Sequence, residues 1–497
     1  MNTVELMAML LYFALVIGVG VYFFFKDRKQ EGEKEYFLGG RNMGGWVAAL
    51  SAGASDMSAW VLMGLPGSIY LYGVGQVWIG VGLMIGTICA WIFVAPRLRR
   101  YSIRANDSIT IPQFLTNRFL SKNKGLQIIS ALVFVVVYCV YSASSISACG
   151  TLFNTVLGMN AKTAMIIATA IILVYVFLGG FNAVCWTDFF QGLLMLGALM
   201  LAPIIALFAM NAADFIAPAV NVTENYYSLL SGGSFDKQSL MDILSGLGWG
   251  LGYFGMPHII IRFMSLKSQK EMKKSAVIAI SWTALICFFA TMVGVVGRMY
   301  LGMDENINQN SLVFIAMVRS IFPALMSGIL LSGVLAASMS TASSQLLASA
   351  SAFASDVYKP VIRKYQSGDK EMLWAGRIVV LVISFVALLI ADSPRAGSIM
   401  ELVANAWGVF GAAFGSAIML SLFWRGFTFQ GAVACIIVGA VVDIGWYLTM
   451  AASTGIYEII PGFFASLVAG VIVSLLSGGP SKDVAALYDK ANNYFEE

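Results

Sequence analysis

The sequence predicts an all-α polytopic membrane protein with about 13 transmembrane helices, two of them broken within the membrane. Of its 497 residues, 59% are hydrophobic and only 11% are charged, and the mean hydropathy is +0.82. A soluble chain of this length needs more charge to cover its surface, so most of this surface must face lipid. A channel, a transporter, a membrane enzyme and a receptor all fit this composition, whereas a net charge of +4 gives nucleic-acid binding no electrostatic basis.

Apolar segments of spanning length supply the helix count, and glycine and serine interrupt the second, the seventh and the ninth of them. Their predicted limits are 3–25, 44–72, 75–96, 126–157, 160–180, 187–210, 239–264, 272–300, 323–353, 371–391, 398–424, 428–450 and 456–477.

Loop charges predict the orientation in the membrane. No Lys or Arg precedes the first segment, which is long enough to span, so we interpret it as a retained helix with its N-terminus outside. Alternate loops then carry the basic residues, as the positive-inside rule requires of cytoplasmic loops, and the C-terminal segment after Gly479 is cytoplasmic. These basic residues include Lys26, Arg28, Lys29, Arg41, Arg97, Arg104, Lys267, Lys274, Lys359 and Lys370, and the opposite loops hold Asp214, Glu224, Asp236, Asp304, Glu305, Asp392 and Glu458. We therefore expect a multi-pass protein of the bacterial inner (plasma) membrane.

Soluble domains and enzyme chemistry find little support in the sequence. The longest hydrophilic connection, Arg97 to Gly125, holds only a predicted short surface helix ending near Phe119. The six cysteines are scattered without paired spacing, which indicates buried apolar thiols. A single histidine, His258, leaves a histidine-based metal site or a catalytic triad little to work with, so we expect no enzyme activity.

The second segment contains an aspartate, Asp56, among the small residues 51–59. A carboxylate at bilayer depth costs about 2.5–3.5 kcal/mol unless it is paired or hydrated. Small residues favour local unwinding, which frees backbone carbonyls and amides that an ion or a substrate can satisfy. The alternative is an aspartate that only bonds neighbouring helices.

The seventh segment contains five glycines and Pro257 within twelve residues, 246–257, which predicts a second broken helix. No Lys-Ser/Thr follows the glycines, so a phosphate-binding loop does not fit. Trp249 and Tyr253 are four residues apart, so in a continuous helix they would share a face and form an aromatic wall around a small ligand. The alternative is packing or interfacial aromatics.

Two broken segments about five helices apart indicate an inverted-repeat transporter with its site at the midplane. We predict an N-terminal helix and loop at 1–43, inverted repeats at 44–210 and 211–424, and two C-terminal helices with a tail at 425–497. The ninth segment adds hydroxyls at Ser340 and Thr341, about one turn from Ala337. Such hydroxyls, with carbonyls from the Asp56 break, suit a hard cation such as sodium, although serines in membrane helices often bond only their own backbone.

Several stretches resemble the sodium:solute symporter family over nearly the whole chain. They are Leu38–Arg41, Leu50–Ser58, Trp60–Gly67, Trp186–Asp188, Trp249–Gly255, Pro257–His258, Met339–Thr341 and Tyr457–Gly462. The resemblance implies a leucine-transporter-like core of five plus five helices, with one helix before it and two after. The Asp56 and Trp249–Pro257 stretches are most similar to the proline branch, which implies sodium-coupled uptake of L-proline by alternating access.

The resemblance also implies roles for individual residues. The sodium ligands would be Ala54, Met57, Ala337, Ser340 and Thr341, the substrate contacts would be Asp56, Ser58, Tyr141, Trp249, Tyr253 and Pro257, and Arg41, Ser55 and Asp188 would serve transport in roles it does not define. Ala59 departs from a glycine that related proline symporters have, and Gln76 replaces a carboxylate that some have.

Rival functions remain at this point. Symport of another amino acid or a carboxylate is the main alternative. A channel would need a continuous polar path or a filter, and a transporter-like sensor would need an output domain. A proton-driven carrier would need a titrating group, for which Asp56 is the candidate. We expect sodium, the solute and lipid as partners, without an obligatory protein partner.

Overall fold

The structure is a computed structural model that describes residues 3–27, 32–210, 225–231, 233–304, 307, 312–394 and 397–493. Within these ranges the protein is helical, and the single isolated bridge joins Met43 to Leu266. The boundary predicted between the two repeats, at residues 210 and 211, lies at the edge of the described residues. Asp214, Glu224, Glu305, Arg28 and Lys29 lie outside them.

The first half of the chain forms nine α-helices in the described residues. They are α1 Thr3–Asp27, α2 Glu33–Leu38, α3 Gly45–Asp56, α4 Leu65–Tyr72, α5 Val77–Cys89, α6 Ala95–Arg104, α7 Ile111–Asn117, α8 Gly125–Leu157 and α9 Ala161–Ala209.

The second half of the chain, as far as it is described, continues the numbering. Its helices are α10 Lys237–Gly248, α11 Pro257–Ser265, α12 Gln269–Leu301, α13 Val313–Ile321, α14 Ala324–Phe353, α15 Asp369–Ala391, α16 Ile399–Phe410, α17 Ser416–Phe423, α18 Phe429–Thr449, α19 Ala451–Thr454, α20 Ile459–Leu476 and α21 Lys482–Asn492.

Ten stretches of described helix are long and apolar enough to cross a membrane. Every predicted apolar segment coincides with helix in the structure. The fifth segment contains only a shorter apolar helix, Ala161–Val174, and the second and seventh are each divided into shorter helices. An all-α membrane protein is therefore confirmed, and the number 13 stays a prediction.

Both predicted helix breaks are present. Helix α3 ends at Asp56, Met57 leaves the helical region at φ −80° and ψ 72°, and a wide helical turn at Trp60–Gly64 leads into α4. Helix α10 ends at Gly248, a tight 3-10 turn covers Trp249–Phe254, and α11 begins at Pro257. Proline suits that first helical position because its missing N–H would have no partner there.

Helix α9 contains a third irregularity, at Gly180, where φ is 57° and ψ is −158°. This backbone conformation favours glycine. A Cβ at this position would also approach the ring of Tyr36 to 2.8 Å. The kink separates the predicted fifth and sixth segments, which are joined without a loop.

The ninth segment, in contrast, is the unbroken helix α14. Ser332 donates to the Gly328 carbonyl at 2.8 Å and Ser338 to the Val334 carbonyl at 2.9 Å, one turn back. These two hydroxyls are therefore satisfied within their own helix. Helix α14 packs against α8, α9 and α1 at the centre of the molecule, so its hydroxyls are buried.

The short surface helix is also present, as α7, with Thr110 accepting a hydrogen bond from the Gln113 amide at 3.1 Å. Its residues Ile111, Phe114 and Leu115 are buried against the protein. The helix therefore packs on the bundle through its apolar face.

Candidate functional site

The two broken segments meet at Asp56 and Tyr253. Asp56 ends α3 and is 2% exposed, and one of its carboxylate oxygens accepts a hydrogen bond from the Tyr253 hydroxyl. Its other oxygen, Oδ1, has no hydrogen-bond partner among the residues that the structure describes. A buried carboxylate oxygen without a donor is costly, so this atom is a candidate for a cationic or N–H-bearing ligand.

Ser340, on α14, contacts the end of α3 at the first break. Its hydroxyl lies 2.8 Å from the Ala54 carbonyl and 3.1 Å from the Ala337 carbonyl. Three oxygen atoms predicted to bind sodium thus lie together where α3 meets α14. The next hydroxyl, Thr341 Oγ1, is buried and without a partner in the described part of the chain.

Tyr141 on α8 adds another buried hydroxyl with no partner in the described residues. Its ring lies 6.0 Å from the ring of His258, at the start of α11. Since Tyr141, Asp56 and Thr341 each carry an unsatisfied buried oxygen, the region has unused hydrogen-bonding capacity that a polar ligand can satisfy.

Aromatic rings line the second break. The Trp249 ring stacks on Tyr457 at 5.0 Å and lies 6.1 Å from Trp60 and 6.3 Å from Trp407. The Trp407 indole donates to the Trp249 carbonyl at 2.8 Å, and the Tyr253 ring meets Trp407 edge-on at 5.3 Å. Trp407 and Tyr457, from later segments, thus pack against the aromatic residues of this break, and a wall around a small ligand stays a prediction.

The geometry of this wall differs from the expected one. Trp249 and Tyr253 lie in a 3-10 turn with about three residues per turn, so a spacing of four does not place them on one face. The glycines serve close packing: a Cβ on Gly246 would lie 2.8 Å from the Trp78 backbone, and Gly250 faces the backbone of Gly82. Gly246 and Gly250 therefore allow close approach of the neighbouring backbone.

Local hydrogen bonds fix the turn at the first break. The Ser58 amide donates to the Asp56 carbonyl at 2.9 Å, and the Ser58 hydroxyl accepts from the Trp60 amide at 3.5 Å. The Ser55 hydroxyl donates to the Ala52 carbonyl, and the Ser55 carbonyl lies 3.1 Å from His258 Nε2. Ser55 and Ser58 thus shape the first break, and Ser55 also links it to α11.

Asp188 on α9 lies in a separate buried network. It accepts from Ser51 at 2.7 Å and from Ser344 at 3.2 Å, and it forms a fully buried ion pair with Arg262 at 3.2 Å. Arg262 also donates to Ser51 and to the His258 carbonyl. Arg262 was not among the predicted site residues, although a charged residue near the C-terminal end of the second broken segment is a signal for one.

Arg41 lies apart from this centre, in the loop between α2 and α3. It donates to Asp107 at 2.9 Å, to Ser102 at 3.1 Å and to the carbonyls of Met264 and Ser108, each at 2.7 Å. Burial lowers the pKa of its guanidinium, and the Asp107 carboxylate opposes that shift. Arg41 thus joins the ends of several helices through hydrogen bonds.

Neutral oxygens dominate the centre of the site. No group of three His, Cys, Asp or Glu side chains arranged to hold a metal occurs in the ranges described. Hydroxyls and main-chain carbonyls at a helix break are ligands for hard, weakly bound cations. Hydroxyls and carbonyls beside two broken helices are an arrangement typical of ion-coupled carriers.

Comparison with known proteins identifies the class. The model of the sodium:solute symporter family matches residues 36–439, so the chain belongs to that family, whose members are named as sodium-linked carriers of solutes. The chain is 42% identical over 473 residues to the high-affinity proline transporter PutP of Bacillus subtilis, covering 95% of this chain and 98% of the relative. It is 40% identical over 497 residues to a sodium/proline symporter of Staphylococcus aureus, covering 98% and 95%.

Solved structures agree on the fold. A Na⁺-coupled sialic acid symporter in a substrate-bound outward-open state superposes with a TM-score of 0.81 at 19% identity, covering 96% of this chain and 98% of that one. Mhp1, a nucleobase-cation-symport-1 family transporter in a closed conformation, gives 0.53 at 16% identity, with coverage of 91% and 98%. The leucine-transporter-like fold is confirmed by these neighbours.

Proposed function

We propose that this protein takes up L-proline across the bacterial plasma membrane together with sodium, by alternating access. The observation that carries the proposal is the meeting of both broken helices at Asp56, beside hydroxyls and carbonyls suited to sodium. The names of relatives that align along almost the whole chain support proline as the solute.

In this proposal sodium binds where Ser340 touches two carbonyls. Ala54, Met57 and Ala337 contribute main-chain oxygens, and Ser340 and Thr341 contribute hydroxyls. The unpartnered oxygen of Thr341 supports its inclusion, and the two contacts of Ser340 support a single ion shared by α3 and α14. The ion holds the unwound part of the second segment against α14.

Proline binds next to this ion. Its amine is directed to the free Oδ1 of Asp56, and its ring packs on Trp249 and Tyr253. The buried hydroxyl of Tyr141 is available to one of its polar groups, while Ser58 and Pro257 shape the ends of the two breaks. A zwitterion with a small apolar ring matches this combination of polar atoms and aromatic surface.

The driving force is adequate for a neutral zwitterion. One sodium ion moving down about 100 mV contributes about 2.3 kcal/mol, before its concentration gradient is counted. That energy corresponds to a concentration ratio of roughly fiftyfold for the solute.

The proposed architecture is an inverted repeat with flanking helices. Residues 44–210 and 211–424 form the inverted repeats, flanked by 1–43 and 425–497, with the N-terminus outside and the C-terminus in the cytoplasm. The corresponding positions of the two breaks support the repeats, and the loop charges support the orientation.

Uptake of labelled L-proline into proteoliposomes tests the function. An inward sodium gradient should give accumulation, and a potassium gradient of the same size should not. Equal uptake in both, or accumulation with a proton gradient alone, contradicts sodium coupling. A panel of unlabelled amino acids and carboxylates as competitors distinguishes proline from another small solute, since the true solute must compete best.

A further inference from the structure

The membrane face of α1 and α9 carries a groove that the transport site does not use. Its first part is a cavity of about 320 Å³ lined by residues such as Tyr12, Leu15, Phe190 and Leu194. Its continuation, of about 620 Å³, shares Leu15 and Phe190 and runs past Gly18 to Lys26. From Tyr12 to Lys26, α1 advances about 21 Å, the length of an extended acyl chain.

The far wall of the groove is one face of α9. Trp186, Phe190 and Leu194 recur every four residues, so they lie along the same side of the helix. The Trp186 ring stacks against Phe23 of α1 at 6.0 Å, where the groove meets the lysine side chain of Lys26. Phe190 is 52% exposed, which leaves its ring open to an apolar molecule from the membrane.

The groove opens at one end into a polar cleft. This cleft, of about 470 Å³, shares Phe23, Lys26 and Trp186 with the groove and adds Lys267 and Lys274. Loop charges assign this end to the cytoplasm. An apolar channel that leads directly to a set of ammonium groups matches an acyl chain bonded to an anionic headgroup.

The charge of the cleft favours an anion. Among the residues that the structure describes, three lysines and one carboxylate, Glu271, line it. The Glu271 carboxylate accepts a hydrogen bond from the Gly45 amide at 2.5 Å and lies 3.9 Å from Lys274. The exposed ammonium groups of Lys26 and Lys267 therefore remain in excess.

We propose that this groove and cleft bind one anionic phospholipid of the cytoplasmic leaflet, with an acyl chain between α1 and α9 and its phosphate among Lys26, Lys267 and Lys274. The lipid would contact one face of α9, and Asp188 lies on a different face of the same helix. It would also contact the segment before α3, since Asn42, Gly44 and Gly45 line the cleft.

Native mass spectrometry of the purified full-length protein tests the headgroup. Delipidated protein is titrated with phosphatidylglycerol or phosphatidylcholine of the same chain length. We expect one phosphatidylglycerol to bind in clear preference, with affinity reduced about fivefold for each lysine replaced by alanine. The matched control replaces Lys370, Lys482 and Lys490, which removes the same charge elsewhere and should leave the preference unchanged.

Gly18→Leu tests the acyl-chain part. A Cβ at Gly18 meets no atom within 4 Å, so the larger side chain fills the groove without disturbing the fold. It should reduce binding of both lipids, whereas Gly445→Leu, at another glycine with open space, should not. Equal affinity of the wild type for the two lipids, equal losses in the matched controls, or a dimer that replaces bound lipid would each overturn the proposal.

Discussion

Replacement of Ser340 by alanine separates the effects of sodium and proline most directly. In the structure the Ser340 hydroxyl touches the Ala54 and Ala337 carbonyls at 2.8 and 3.1 Å. In the sodium-bound state we expect the same hydroxyl oxygen to face the ion. The substitution therefore removes a neutral hydrogen bond from the empty carrier and an ion contact from the loaded one.

The size of the effect is the difference between these two losses. A neutral hydrogen bond contributes about 0.5–1.5 kcal/mol, and one to a charged group about 1.5–3 kcal/mol. The net loss of sodium binding is then about 1–2 kcal/mol, which raises the half-saturating sodium concentration roughly five- to thirtyfold. The maximal uptake rate at saturating sodium should change much less.

Initial rates of proline uptake, measured against external sodium in proteoliposomes, give the half-saturating concentration. Ser349→Ala is the matched control, because Ser349 is buried on the same helix and donates only to the Gln345 carbonyl one turn back, at 2.9 Å. A Ser340→Ala protein that folds and keeps the wild-type sodium dependence would remove Ser340 from the sodium site.

Three further substitutions follow from the same contacts. Tyr253→Phe removes the donor to Asp56 and should raise the proline KM more than the half-saturating sodium concentration; the opposite order in uptake kinetics contradicts the assignment. Arg262→Met leaves the Asp188 carboxylate buried and unpaired, so thermal unfolding in detergent should show a loss of about 3–5 kcal/mol, and adding Asp188→Asn should recover part of it. Gly82→Ala places a Cβ 2.8 Å from the Leu247 backbone, so it should reduce folded yield in fluorescence size-exclusion, and an unchanged profile would refute the close packing.

Hydrophobic patterning predicted most of the fold because lipid permits few solutions for the backbone. Long apolar runs form helices there, and glycine, proline and a buried aspartate mark where a helix cannot continue unaided. The breaks at Asp56 and before Pro257 were therefore predictable. The continuity of α14 was harder to predict, because a serine-rich sequence is the same whether its hydroxyls bond their own backbone or a ligand.

Partners across the bundle were beyond sequence reasoning. Asp188 and Arg262 are 74 residues apart, and nothing in their spacing indicates an ion pair. The Trp249–Tyr457 stack joins residues from distant segments in the same way. The packing role of Gly246 depends on which backbone lies opposite, a property of the tertiary structure that local composition does not contain.

Coupling between sodium and proline follows from the shared break in the second segment. Ala54 contacts Ser340, and Asp56, two residues further along the chain, contacts Tyr253. An ion bound beside Ala54 and a solute bound beside Asp56 therefore order the same short stretch of chain. A ligand that orders this stretch reduces the ordering cost for the other, and such coupling is reciprocal. Sodium should therefore lower the proline Kd by the same factor by which proline lowers the sodium Kd. Isothermal titrations of each ligand with and without the other measure both factors. Equal Kd values in the presence and absence of the partner would show that the two sites are independent, and the shared break would then not be the coupling element.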